Sequence, residues 1–210
     1  VTVTDKDASG ASTGQLAATA SIDNVKFTNT YKAGADYNVQ GAGGLDITKK
    51  LNNRNMTANQ FTFTIEATGD NAEKAAEKLN IADGTTATVK NAAGNAGEAV
   101  SVVGNPFETM SFDETDDGVT YTYTIKEEGT SGEGDYAGYT LDGTTYTVSI
   151  TATDNGDGTL KVKTVVNDGT TDKEYTNERA TVAFENTYKA DDVTVGAEGE
   201  AQIVAHKTLK

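Results

Sequence analysis

Three stretches of alternating sequence each carry a polar side chain where the alternation calls for an apolar one. In "LDITKKL" (45–51), Leu45, Ile47, Lys49 and Leu51 share a face, while Asp46, Thr48 and Lys50 point the other way. In "VTYTYTIKE" (119–127), Tyr121, Tyr123, Ile125 and Glu127 line up, and Glu128 falls on the opposite face. In "ATVAFENTY" (180–188) the shared face is Val182, Phe184, Asn186 and Tyr188. A lysine, a glutamate and an asparagine therefore occupy core positions. A buried, unpaired charge is costly, so such groups pair, neutralise or react.

Two outcomes fit these residue types. One is a buried, hydrogen-bonded Lys–Glu–Asn cluster. The other is covalent. Burial lowers a lysine pKa and raises that of a glutamate, so a neutral amine can face a protonated acid. The amine can then attack the amide carbon of the asparagine while the acid shuttles protons and polarises the carbonyl, ammonia leaves, and positions 49 and 186 become joined. That reaction happens once per domain and is maturation, not turnover. The choice of Glu127 over Glu128 rests on strand register, since a bulge would exchange them.

The elements that must position these groups are strands. "QFTFTIEA" (60–67), the stretches at 119–127 and 180–188, "TTYTVSITAT" (144–153) and "TLKVKTVV" (159–166) alternate apolar residues with Thr or charge, the pattern of strands with one buried face. "DNGDG" (154–158) and "NDG" (167–169) read as hairpin turns. "DNAEKAAEKLN" (70–80) alone reads as a helix, with Asp70 or Asn71 able to cap it. The Gly- and Ala-rich stretch 82–105 reads as a loop with one short strand at 99–103. "GTSGEGDYAGY" (129–139) reads as an exposed loop whose two tyrosines pack at the end of a sandwich.

The chain repeats itself. "VKFTNTYKA" (25–33) recurs as "VAFENTYKA" (182–190), which sets Asn29 against Asn186. "LDITKKL" recurs more loosely as "IVAHKTL" (203–209), which sets Lys49 against Lys207. "VTVTD" and "GQLAATASI" near the start resemble "VSITATD" and "GTLKVKTVV" at 148–166. The expected organisation is a window on a tandem array: closing strands of a preceding repeat (1–34), one complete repeat (about 35–190) and the opening strand of the next (191–210). Asn29 and Lys207 lack the rest of their own repeats here and are expected to be unreacted.

Composition narrows the function classes. The 210 residues hold 17 basic and 32 acidic side chains, a formal charge of −15, which disfavours nucleic acid and anionic membrane surfaces as partners. Without Cys there are no disulfides, thiolate metal sites or cysteine nucleophiles, and the single His excludes multi-His zinc sites. No cofactor or metal is expected. "DNGDG" lacks the alternating oxygen ligands of a calcium loop, and "DETDDG" (113–118) reads as a solvated loop. His206 falls opposite Lys207 and reads as a surface residue. "GAGG" (41–44) has no strand before it and no helix after it, so a phosphate loop is unsupported, and a flexible lead-in between repeats is expected. No run approaches a membrane span, and the first residues lack the pattern of a signal peptide.

The opening "K-x-L" strand followed by "QFTFTI", the "YTYTIKEEG" strand, the "YTVSITATDNGDGTL" hairpin and the closing "FENTY" resemble the pilin isopeptide-linkage repeat. This is the Spy-type major-pilin family of Gram-positive bacteria, related to CnaB-like domains of surface adhesins. The likeness covers essentially 35–190. It implies an all-β, immunoglobulin-like β-sandwich, an extracellular cell-wall setting and a stretch-resistant shaft or stalk. It also implies Lys49 as amine donor, Asn186 as acceptor and Glu127 as catalytic acid. The bond would close a loop of about 137 residues and carry tension from first strand to last. Neither an LPXTG-type sorting signal nor a clear pilin-motif lysine stands in the sequence, which favours a tandem adhesin stalk over a sortase-polymerised subunit. The implied partners are neighbouring repeats of the same polypeptide, with any host surface ligand left to other parts of the protein. Two alternatives stand beside this reading. A ligand-binding adhesin module would recognise host glycan or protein through exposed loops such as 82–105 or 129–139. A hydrolase would need its polar cluster in an open cleft.

Overall fold

The computed structural model describes residues 2–6, 9–20, 26–38 and 43–190. The opening strand expected at 191–210, with Lys207 and His206, lies outside the described residues. Contacts divide the chain into two compact units, residues 1–31 and 32–210.

In the first unit, β1 (Thr2–Lys6) and β2 (Ser12–Thr19) form an antiparallel hairpin with an irregularity between Thr4 and Lys6. Residues 26–31 form no strand, and Phe27 and Asn29 are exposed. The copy of the closing strand expected there is therefore not a strand in this structure. Its backbone has no ladder partner among the described residues.

The second unit runs β3 (Gly34–Tyr37), β4 (Leu45–Asn52), β5 (Thr62–Thr68), α1 (Ala72–Lys78), β6 (Thr86–Asn91), β7 (Ala99–Val103), β8 (Met110–Asp113), β9 (Thr120–Glu127), β10 (Tyr139–Thr140), β11 (Thr145–Asp154), β12 (Leu160–Asn167), β13 (Asp172–Thr176) and β14 (Ala180–Tyr188). Ten of these strands share one ladder in the order β10-β14-β4-β7-β6-β5-β9-β11-β12-β13, and β3 pairs with β8 beside it. The ladder doubles over at the short β6–β7 pairing, where only Lys90↔Val103 and Asn91↔Val102 are matched. This places β10-β14-β4-β7 against β6-β5-β9-β11-β12-β13, the expected all-β, immunoglobulin-like sandwich. The alternating residues read from the sequence fill the interlayer: Leu45, Ile47 and Leu51, Phe63 and Ile65, Tyr121, Tyr123 and Ile125, Val148 and Ile150, and Val182 and Phe184 are all buried.

The first and last strands of the ten-stranded ladder, in chain order, are neighbours. β4 and β14 run parallel over eight matched pairs, from Leu45↔Ala180 to Asn52↔Thr187. Without a β-αβ crossover, parallel neighbours of this kind need the whole intervening chain to return to the starting edge.

Three local expectations are corrected. Within 82–105 the strand expected at 99–103 is present as β7, but a second strand, β6, stands in the stretch read as loop, because it buries only Val89 and the polar Asn91 and so gives no apolar alternation to read. Asn91 earns burial by accepting the Phe61 N–H (2.7 Å) and donating to the carbonyls of Thr57 and Ala92 (both 2.7 Å). The helix expected at 70–80 forms over 72–78, but neither Asp70 nor Asn71 caps it through a side chain. Asn71 sits at the N-cap and donates to the Thr120 carbonyl instead. The acidic run 113–118 is not a solvated loop throughout. Asp116 is buried, bonds Tyr121 Oη, Lys78 Nζ (2.6 Å) and the Asp113 N–H (2.8 Å), and closes a capping box.

Candidate functional site

Lys49 reaches the interior because strand alternation puts it between Ile47 and Leu51 on the inner face of β4, and it is fully buried. Asn186 lies on the inner face of β14, also fully buried. The parallel register matches Lys49 with Phe184 and Leu51 with Asn186, so the two polar groups are same-face diagonal neighbours on adjacent strands. Glu127 comes from the facing layer at the end of β9, matched with Phe63 of β5. Its side chain is fully buried too.

The three groups meet at one carboxyl. Lys49 Nζ donates to Glu127 Oε2 at 2.8 Å, and Asn186 Nδ2 donates to Glu127 Oε1 at 2.7 Å. Asn186 Oδ1 accepts the main-chain N–H of Asp142 at 2.7 Å. Glu128 is elsewhere: it accepts from Thr64 Oγ1 at 2.5 Å and pairs with Lys126 at 3.3 Å on the outer face. Asn29 is exposed and belongs to the other unit.

Apolar walls set the electrostatics. Lys49 Nζ sits 4.8 Å from the ring centre of Phe61 and 5.8 Å from that of Phe63. Phe63 in turn packs on Phe184, centroids 5.0 Å apart. Burial pulls the Lys49 amine below the ordinary lysine range, against the upward pull of Glu127. Burial likewise lifts the Glu127 carboxyl above the usual carboxylate range, opposed by Lys49 and by the Asn186 hydrogen bond. Both shifts move the pair toward amine plus acid. The arrangement can thus present a nucleophilic nitrogen, a proton carrier and a polarised amide carbonyl to one another, shielded from water.

The loop between β9 and β10 closes the site. Tyr136 stacks on Phe61 at 5.8 Å, and Tyr139 meets Phe61 edge-on at 5.9 Å. Gln60 Nε2 donates to Tyr139 Oη at 2.9 Å. The two tyrosines do pack at the sandwich end, as expected from "GDYAGY". That they cover the buried lysine through Phe61 was not legible, nor was the role of Asp142, because main-chain donors leave no trace in residue type. Tyr136 can lie this close because residue 129 lacks a side chain. Gly129 has φ +124°, and a Cβ there would lie 2.3 Å from Tyr136 Cε2. Gly132, at φ +76°, has open space around it. Gly132→Ala is expected to cost only backbone strain, about 1–2 kcal/mol. Gly129→Ala adds overpacking of about 1–3 kcal/mol and displaces Tyr136. Thermal melts of the two variants check this, and equal losses would refute the close-packing account.

None of the curated proteins matches the chain. Solved structures similar to it include the major pilin protein from Streptococcus pyogenes, at 24% identity over 69% of this chain and 52% of that one, with a TM-score of 0.38. Two mutant forms of the Streptococcus pyogenes major pilin align at 15% and 16% identity over 80% of this chain and 52% of theirs, each with a TM-score of 0.35. The chain spans about half the length of the solved pilins it matches. Residues 45–189, from the first residue of β4 to the one after β14, match the family model of the Spy0128-like isopeptide containing domain (FctA), and the chain belongs to that family.

Proposed function

We propose that residues 45–189 form a structural stalk module of a Gram-positive cell-surface fibre, locked by a self-generated bond between Lys49 and Asn186 with Glu127 as proton carrier. The observation that carries this reading is the single buried carboxyl touched by both the Lys49 amine and the Asn186 amide nitrogen. Membership of an isopeptide domain family supports it independently. In the proposed reaction, neutral Lys49 Nζ attacks Asn186 Cγ. The Glu127 acid gives its proton to departing Nδ2 and receives the one Nζ sheds. The Cγ–Nδ2 bond breaks, ammonia leaves with two amide protons and the one from Glu127, the proton from Nζ restores the acid, and an Nζ–Cγ amide remains. No turnover follows, so the module is structural and not an enzyme in the ordinary sense.

We further assign residues 1–34 to the closing strands of a preceding module, 35–190 to a complete one and 191–210 to the opening strand of the next, so that the partners are neighbouring modules of one polypeptide. Hairpin register supports the first assignment. Aligning Asp5 with Asp154 and Leu16 with Leu160 makes the pair Val3↔Ala18 equivalent to Ala152↔Val162, and Thr2↔Thr19 equivalent to Thr151↔Lys163. Positions buried in the complete module are exposed in the partial one: Leu16 is 79% exposed against 6% for Leu160, and Phe27 87% against 1% for Phe184. The ligand-binding alternative is weakened by the same structure, which gives much of 82–105 to the ladder and lays the tyrosines of 129–139 over the lysine.

Intact mass of the denatured protein tests the bond. The wild type is expected to be lighter than its sequence by one ammonia, about 17 Da, and Lys49→Ala and Glu127→Ala to show their full masses. A full-mass wild type would leave Lys49, Glu127 and Asn186 as a buried polar cluster and remove the crosslink.

A further inference from the structure

Asp142 belongs to the turn between β10 and β11, and no alternation points to it. Its main-chain N–H donates to Asn186 Oδ1 (2.7 Å). Its carboxylate reaches back to β14: Oδ2 accepts the Glu185 N–H at 2.9 Å, and Oδ1 accepts the Thr144 N–H at 3.0 Å. The residue before it is tied as well, since Leu141 N–H donates to Ser131 Oγ at 2.8 Å. The turn is thus fastened to the strand that carries the amide, one residue before Asn186.

This contact decides which way the amide faces. An N–H can only be met by the carbonyl end, so Asp142 holds Oδ1 toward the turn and leaves Nδ2 against Glu127. Reversal would set Nδ2 against the Asp142 N–H and oxygen against the acid, with the leaving group away from its proton donor. Attack on Cγ moves negative charge onto Oδ1. Both Glu127 oxygens are engaged, one with Nζ and one with Nδ2, so the acid is not the group at Oδ1. A fixed donor at that oxygen stabilises the charge as it develops.

We propose that the Asp142 main-chain N–H is the oxyanion donor for Lys49–Asn186 condensation, and that the Asp142 carboxylate is the positioning group that holds the donor in place. The inference rests on the crosslink reading and names a further part of that site. A second consequence is electrostatic. Around the amine and acid stand the Asp142 carboxylate from the turn, Glu185 from β14 and the Tyr136 phenol from the covering loop. The negative charge of Asp142 raises the pKa of both Lys49 and Glu127. Asp142 itself, though burial pulls it up, is held below the usual carboxylate range by Thr144 and the Glu185 N–H, and so stays ionised.

The test compares wild type, Asp142→Asn and Asp142→Ala, recovered unfolded from inclusion bodies and refolded by dilution over a range of pH. Quenched samples are weighed by intact mass, and folding is followed in parallel by circular dichroism. Condensation requires one proton shared between amine and acid, so its rate falls on both sides of an optimum. Asp142→Ala is expected to slow ammonia loss by about 10²-fold once folded. Asp142→Asn is expected to be intermediate, because its amide oxygen still accepts one main-chain N–H. Both limbs of the rate–pH profile move to lower pH in the two variants, which loss of a merely structural contact does not produce. Wild-type rate and profile in folded Asp142→Ala, or in folded Asp142→Asn if the alanine variant does not fold, overturn this proposal while the crosslink stands. Absence of ammonia loss from the wild type removes the crosslink itself, and this proposal with it.

Discussion

Stretched between residues 45 and 188, the wild-type module is expected to release almost no chain, whereas Lys49→Ala lengthens by roughly 480 Å on unfolding. The value is about 137 residues at ~3.5 Å each. The expectation follows from where the load enters. β4 and β14 are parallel neighbours, so force applied at the start of one and the end of the other shears them along their eight matched pairs. With Lys49 joined to Asn186, tension passes from 45–49 through the side-chain bond to 186–188 and bypasses everything between. Without it, eight pairs of hydrogen-bonded residues carry the load alone, and their rupture frees the whole intervening chain. Single-molecule force spectroscopy reads the difference directly. Equal lengthening in the two proteins would refute the proposed bond as the carrier of the load.

Heat should rank the variants in a set order: wild type above Asn186→Ala, and Asn186→Ala above Glu127→Ala. Losing the bond releases a loop of about 137 residues, which on the disulfide analogy costs about 5 kcal/mol, or roughly 10–20 °C in a module of this size. Asn186→Ala adds only the unmet Asp142 N–H, about 1–3 kcal/mol, because Lys49 and Glu127 still satisfy each other. Glu127→Ala also loses the bond but leaves the Lys49 amine buried against Phe61 and Phe63 without its partner, which adds about 3–5 kcal/mol. That total rivals the whole stability of an ordinary domain, so this variant is expected at the edge of unfolding at room temperature. Calorimetry on the three proteins checks the order. Variants within a few degrees of the wild type would contradict both the crosslink and the cost assigned to a stranded amine.

What alternation could carry, the sequence made legible. β4, β5, β9, β11, β12 and β14 each bury one apolar face, and for these the parity of side chains placed Lys49, Glu127 and Asn186 inward before any pairing was known. Most of the elements that were missed have no such face, and β8, which buries Met110 and Phe112, is only four residues long. β6 spends an inward position on Asn91, β13 is an edge strand with only Tyr175 half-buried, and β10 is two residues long. Part of the site was silent for a related reason. Phe61 and Phe63 look like any core aromatics until the fold sets them beside an amine. Asp142 looks like a turn former, which it is, and its contribution comes from an N–H that every residue but proline has. Asp116 reads as one more charge in an acidic run, and only the return of Lys78 and Tyr121 in space explains its burial.

The parallel pairing of β4 with β14 also sets an order of events during biosynthesis. Nothing can assemble around Lys49 until residue 186 has been made and brought back to the edge where the module began, a closure among the most distant in the chain. In the cell-surface setting proposed above, a module whose last strand has not yet left the cell cannot form the contact between Lys49 and Asn186. Only when that strand has followed does the module hold the geometry that the side chains require. Closure is in this sense a checkpoint on completeness: a truncated or mispaired product never brings the amide to the amine, and stays open to unfolding and proteolysis.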